Sequence, residues 1–168
     1  RRTLNPAKKV VLAEGAQAEP EPTHMGGVDE ANRTNEAALG PGSVLLITER
    51  VMTDGNQTAL SKNDIILSGE NSRANMISRS VMKGNSKQIF YATIDALAKC
   101  FGHIECDAII IDNGTNETIP SLKARHPDAE LTHEASIGKI ASDQLTKLMS
   151  LGLTYDEAVN RIIQGFLR

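Results

Sequence analysis

Between Ser43 and Ala135 the chain runs as short β-branched stretches: SVLLITE, NDIILSG, ANMISRSVM, QIFYATID, HIECDAIIID, ETIPSLKA and DAELTHEA. Gly, Asn and Asp cut each from the next, so they read as strands of ordinary length with turn chemistry between them. The strongest runs, near Leu45, Ile65, Ile89 and Ile110, recur at intervals of roughly 20 residues with no helical pattern in the gaps. Parallel strands in a βαβ fold need a crossover helix, and none is present here. Stacked coils of a parallel β-helix produce this pattern, and an antiparallel sandwich has a similar periodicity.

The flanks differ from this middle region. Residues 1–42 hold four of the six prolines and several small polar residues, with one apolar patch at Val10 to Ala13. This composition predicts a weakly structured segment with a single strand at KVVLAEG. Residues 43–140 form the predicted β core and residues 141–168 a helical region. Ser142 is placed to cap a helix carrying Leu145, Leu148 and Met149, stopped by Gly152. Thr154 and Glu157 then form a T-x-x-E capping box ahead of Ala158, Val159, Ile162, Ile163 and Phe166 at helical spacing. A two-helix hairpin, packed through these apolar stripes, closes the sequence.

Composition excludes several function classes. The 168 residues carry 18 Lys and Arg against 21 Asp and Glu, with three Phe, two Tyr and no Trp. A nucleic-acid partner is not expected, because neither a basic footprint nor stacking platforms exist. The longest apolar runs, VLLI and AIII, fall far short of the ~20 residues of a membrane span. The chain starts RRTLNPAKK, without a methionine or a signal-peptide core, and reads as a fragment or processed product with no export implied. Cys100 and Cys106 lie six apart, at neither disulfide-framework nor zinc-ribbon spacing, which suits a reducing, cytoplasmic setting. There is no G-x-S-x-G, no H-E-x-x-H and no phosphate-binding loop, so any ATPase activity belongs to another chain. A β-helix enzyme acting on carbohydrate is disfavoured by the lack of paired carboxylates beside aromatic platforms.

Two strands carry residues capable of metal chemistry. In DAELTHEA, alternation groups Ala129, Leu131, His133 and Ala135 on one face, with Glu130, Thr132 and Glu134 on the other. In HIECDAIII it groups Ile104, Cys106, Ala108 and Ile110, leaving Glu105 and Asp107 opposite. Buried Cys and His are ordinary core residues, and that is the simplest reading of Cys106 and His133. The functional reading is that thiolate, imidazole and carboxylate all bind iron, and a site with few cysteines holds a cluster loosely enough to release it.

The stretches GHIECDAIII and PDAELTHEASIGKIASDQLTKLMSLGLTYDEAVNRIIQGFL resemble the carboxy-terminal core of the SufB/SufD family of iron-sulfur cluster assembly proteins. The similarity covers residues 44–167 and is strongest after Gly102. It implies a right-handed parallel β-helix followed by a C-terminal α-helical hairpin. It also implies a scaffold rather than an enzyme, working with a SufC-like ABC-type ATPase that docks on the helices from Ser142 to Phe166. Cys106 matches the cysteine on which SufB builds a nascent cluster, Glu134 the glutamate beside it, and His133 the position of the SufD histidine. These three are the implied ligands of iron and of a transient iron-sulfur cluster. Further implied partners are a SufD-like subunit or a second copy of the chain, and a sulfur donor protein. Members are more than twice this long and carry upstream coils implicated in receiving sulfur. The alternative is a SufD-like structural partner of the ATPase that holds no metal. Cys100 has no counterpart and reads as structural.

Overall fold

The computed structural model describes residues 2–20, 23–25 and 27–168. Its strands are β1 (Thr3–Leu4), β2 (Ala7–Leu12), β3 (Gln17–Ala18), β4 (Thr23–Met25), β5 (Glu30–Leu39), β6 (Val44–Thr53) and β7 (Thr58–Leu67). They continue as β8 (Arg73–Met82), β9 (Lys87–Ala96), β10 (Phe101–Ile110), β11 (Thr115–Ala124) and β12 (Glu130–Gly138), followed by helices α1 (Ser142–Ser150) and α2 (Tyr155–Phe166). Strands alternate between two sheets. Sheet A runs β5-β7-β9-β11 with β1 and β2 on β5, and sheet B runs β12-β10-β8-β6 with β3 and β4 on β6. All pairings are parallel, so the fold is the parallel β-helix rather than an antiparallel sandwich.

Register corrects the repeat length. Glu30, Thr58, Lys87 and Thr115 stack on one another in sheet A, and Val44, Arg73, Phe101 and Glu130 in sheet B. One coil therefore contains 28 or 29 residues, two ten-residue strands and their turns. The shorter interval expected from the sequence arises because the strongest apolar runs fall on both sheets, two on each, and do not sample one column.

Residues 1–42 also depart from expectation. Their described residues supply five strands, among them β5, a full ten-residue member of sheet A with Ala31, Arg33, Ala37 and Leu39 turned inward and buried. Its sequence, EANRTNEAAL, has little intrinsic strand preference; pairing with β7 along its whole length overrides propensity. Glu21 and Pro22 of the EPEP stretch lie outside the described residues.

Alternate residues fill the space between the sheets. Leu39, Leu45, Leu67, Met76, Ile94 and Ile104 are fully buried in one continuous apolar cluster. Two glycines serve close approaches. A methyl at Gly69 would run into the Gly40–Pro41 backbone of the preceding turn, and one at Gly102 would press on Leu131 and Ile94. The lumen is polar elsewhere: Arg33 pairs with Glu49, Ser61 donates to Glu49 Oε2 at 2.9 Å, and Gln88 donates to Thr53 Oγ1 at 3.0 Å and to the Val81 carbonyl at 2.9 Å.

The hairpin covers an outward-facing apolar column of sheet B. Met52, Val81 and Ile109 are register partners on β6, β8 and β10, and they break the inside-outside alternation of their strands. Val159 and Ile163 of α2 bury against Val81 and Ile111, flanked by Leu145 and Phe166. α1 buries no residue, and Met149 is largely exposed. Ser142 is the first helical residue and not the cap; Ala141 takes that place with no side-chain bond, while Thr146 donates to the Ser142 carbonyl.

The Thr154–Glu157 box is formed as the sequence predicts: Glu157 N–H donates to Thr154 Oγ1 at 3.3 Å, and Thr154 N–H donates to Glu157 Oε2 at 2.8 Å. The Thr154 N–H and the Thr154 hydroxyl, which donates to Glu157 Oε2 at 2.9 Å, hold the Glu157 carboxyl below the usual range. A depressed folded-state pKa gives stability that is present above the ordinary Glu value of about 4.3 and is lost as pH falls through the folded value. The Thr154 amide resonance is expected to move with acidification in that window, and Glu157→Gln is expected to abolish the movement in an NMR titration.

Candidate functional site

Cys106 lies in β10 with its side chain in the lumen, 4% exposed. Its register partners are Ser78 on β8 and Ala135 on β12, and one further strand along the same column lies Glu49. Burial pushes the thiol up to about 12, with Asp107, Glu49 and Glu105 adding to the effect. At neutral pH the sulfur is therefore a protonated, poorly nucleophilic thiol, and a metal ion that ligates it must displace the proton. Cys100, in the turn before β10, is also buried and its thiol is likewise raised by burial.

His133 lies in β12 opposite Ile104 of β10. Cys106 is two residues beyond Ile104, so thiol and imidazole are diagonal neighbours on one face of a parallel pair, with roughly 7–8 Å between backbones. The His133 Nε2 atom is buried and has no hydrogen-bond partner. An unpaired buried nitrogen costs about 1–3 kcal/mol, which a ligand or an added chain would recover. β12 is the outermost strand of sheet B, so this nitrogen sits beside a free edge.

Glu134 is turned to the opposite, outer face. Its register partner is Glu105, with Asp107 two residues further along β10. Burial, a hydrogen bond with Asp107 and the charge of Asp107 raise the Glu105 carboxyl; Arg79 and His103 offset part of that shift. The structure thus brings Cys106 and His133 together and separates Glu134 from both by the thickness of the sheet. Among the described residues no three His, Cys, Asp or Glu side chains are placed to hold a metal ion. Within one chain the inner face of β10 and β12 thus carries a buried thiol and an imidazole whose Nε2 is buried, on adjacent strands.

Sequence reasoning missed the buried Arg33–Glu49 pair in the lumen near Cys106. Its signal was present but faint: an Arg and a Glu occupying strand positions where alternation calls for apolar residues. Without the register of β5 no rule assigns Arg33 to the inner face.

The chain is matched over residues 4–166 by the model of the SUF system FeS cluster assembly, SufBD core domain. It is 40% identical over 126 residues to an iron-sulfur cluster assembly SufBD family protein of Archaeoglobus fulgidus, covering 74% of this chain and 32% of that one. It is 38% identical over 135 residues to a SufBD family protein of Pyrococcus horikoshii, covering 78% of this chain and 40% of the relative. A SufBD family protein of Trieres chinensis, ycf24, is 29% identical over 119 residues. The chain spans about a third of the length of the curated relatives it matches. The family model spans nearly all of the sequence, and the chain belongs to the SufBD family of iron-sulfur cluster assembly proteins.

Proposed function

We propose that this chain is a SufB-like scaffold component on which an iron-sulfur cluster is assembled, and not a catalyst. The observation that carries this reading is the Cys106–His133 half-site beside the free edge of β12, with an orphaned imidazole nitrogen. In this role the cluster is cargo: Cys106 supplies sulfur ligation after losing its proton, and His133 supplies a nitrogen. Glu134, on the outer face of the same strand, would reach the cargo only from across an added subunit. A SufD-like subunit, or a second copy of the chain, is the partner that would join the β12 edge. The exposed parts of the helical hairpin are the docking surface for a SufC-like ABC-type ATPase, and sulfur arrives from a donor protein. No helix among the described residues is long and apolar enough to cross a membrane, and a reducing cytoplasmic setting suits the two free cysteines.

The test is anaerobic reconstitution with ferrous iron and sulfide, with and without the ATPase partner, followed by visible absorption and Mössbauer spectra. Wild type is expected to form a cluster, Cys106→Ser to lose it, and His133→Ala to hold it at least tenfold more weakly, in line with loss of one ligand. A second reading, a SufD-like subunit that binds the ATPase and holds no metal, draws support from the wide separation of Glu134 from Cys106. Equal absence of cluster in wild type and Cys106→Ser, with ATPase binding retained, would favour it.

A further inference from the structure

Three successive turns stack at one corner of the solenoid: residues 68–72 between β7 and β8, 97–100 between β9 and β10, and 125–129 between β11 and β12. Main-chain bonds tie each turn to the next. Asn71 N–H donates to the Lys99 carbonyl at 2.7 Å, Phe101 N–H to the Ser72 carbonyl at 3.0 Å, and Glu130 N–H to the Cys100 carbonyl at 2.9 Å. Between the turns lies an open recess of about 290 Å³. Its walls are already ordered by these backbone bonds, which lowers the cost of placing a ligand there.

The recess is charged in both senses. Arg73 and Lys99 supply two cations and Asp128 and Glu130 two carboxylates, and among the described residues none of the four has an ion-pair partner. The register shows what stands between the charges. Arg73, Phe101 and Glu130 are consecutive members of one outer column of sheet B, so an aromatic residue separates the guanidinium from the carboxylate. The Arg73 guanidinium lies 5.8 Å from the centre of the Phe101 ring, a cation–π contact that positions the group without using its N–H donors.

Charges of both signs select the ligand. A simple anion drawn to Arg73 and Lys99 meets the two carboxylates, and a simple cation meets the two bases. A molecule that carries both charges a few atoms apart is complementary to all four groups. Beneath them the Phe101 ring and the buried Cys100, which packs as a small apolar group, offer a floor for an apolar substituent.

We propose that this recess binds a free α-amino acid, with its carboxylate held by Arg73 and Lys99 and its ammonium by Asp128 and Glu130. Arg73 takes the carboxylate through the fork of its guanidinium, a geometry that a lysine does not reproduce. The side chain of the ligand lies toward Phe101. The site is on the outside of the solenoid and uses neither Cys106 nor His133, so it stands apart from any iron ligation.

The test is a titration of the isotope-labelled chain, followed by amide resonances, with L-alanine, acetate and methylammonium in turn at constant ionic strength. L-Alanine is expected to give saturable shifts at residues 71–73, 99–101 and 128–130 in the millimolar range, and the two half-ligands to bind at least about tenfold more weakly. Arg73→Gln and Glu130→Gln are each expected to weaken L-alanine by about five- to tenfold, in line with loss of one charged hydrogen bond. Both side chains are exposed, so the fold is expected to stand in each variant, and the comparison of three ligands on wild type needs no variant at all. Acetate binding as tightly as L-alanine would reduce the recess to an anion site and overturn the proposal. So would the absence of saturable shifts up to about 100 mM, or shifts that persist unchanged in both variants.

Discussion

Glu49→Ala is expected to destabilise the solenoid by about 3–5 kcal/mol, the cost of breaking a buried ion pair by removing one member. Arg33 and Glu49 are 2% and 1% exposed and come from opposite sheets, β5 and β6, so the substitution leaves a guanidinium in the lumen with no counter-charge. Ser61 loses its acceptor at the same time, and Asn63, which donates to Ser61 Oγ at 3.2 Å, loses its ordered partner. Replacing both charges, as in Arg33→Met with Glu49→Leu, is expected to recover most of that loss, because two well-packed apolar groups need no pairing. Urea denaturation followed by circular dichroism measures both. A Glu49→Ala midpoint close to wild type would show that water reaches the pair and that the lumen is open at this coil.

Ile104→Ala is expected to cost about 2–5 kcal/mol, since it removes a fully buried side chain from a packed interior. Ile104 is the register partner of Met76 on β8 and of His133 on β12, so the cavity opens next to the imidazole. Beyond the loss of stability, the His133 ring is expected to lose its fixed orientation, seen as broadening or shift of its ring-proton resonances. Ile104→Val should cost only about 0.5–1.5 kcal/mol and leave those resonances in place. A cost below about 1 kcal/mol for the alanine variant would mean that the inner face near the last coil is loosely packed, and that Cys106 and His133 are not held by it. Stability in a solenoid is partly local, so probes on β10 and β12 are more informative than a single global transition.

Much of the architecture was legible in the chain. Every β-branched run from SVLLITE to DAELTHEA is a strand, β6 to β12, because turn residues at short intervals leave little other choice. The inward set Ile104, Cys106 and Ala108 and the outward pair Glu105 and Asp107 follow from the two-residue period of a strand. The capping box at Thr154 and Glu157 forms as predicted, because its chemistry is local. Ser142, by contrast, sits one residue inside its helix, within the usual latitude of helix boundaries. The hairpin seat on sheet B also had a trace in the sequence. The outward apolar residues Met52, Val81 and Ile109 interrupt alternation near the ends of three strands, which marks burial on both faces.

What periodicity could not supply was everything that depends on one strand lying against another. β5 was hidden in residues 1–42, since its alanines and polar residues carry a weak local signal and only pairing with β7 makes them a strand. The candidate site divides in the same way. The sequence by itself determined which faces His133 and Glu134 take relative to each other, because neighbours on a strand point to opposite sides. Only the tertiary structure decided that His133 shares the lumen with Cys106, that Glu134 faces outward beside Glu105, and that Arg33 meets Glu49. Those relations depend on the 28- or 29-residue coil register, and register is a property of stacked coils that no single coil contains.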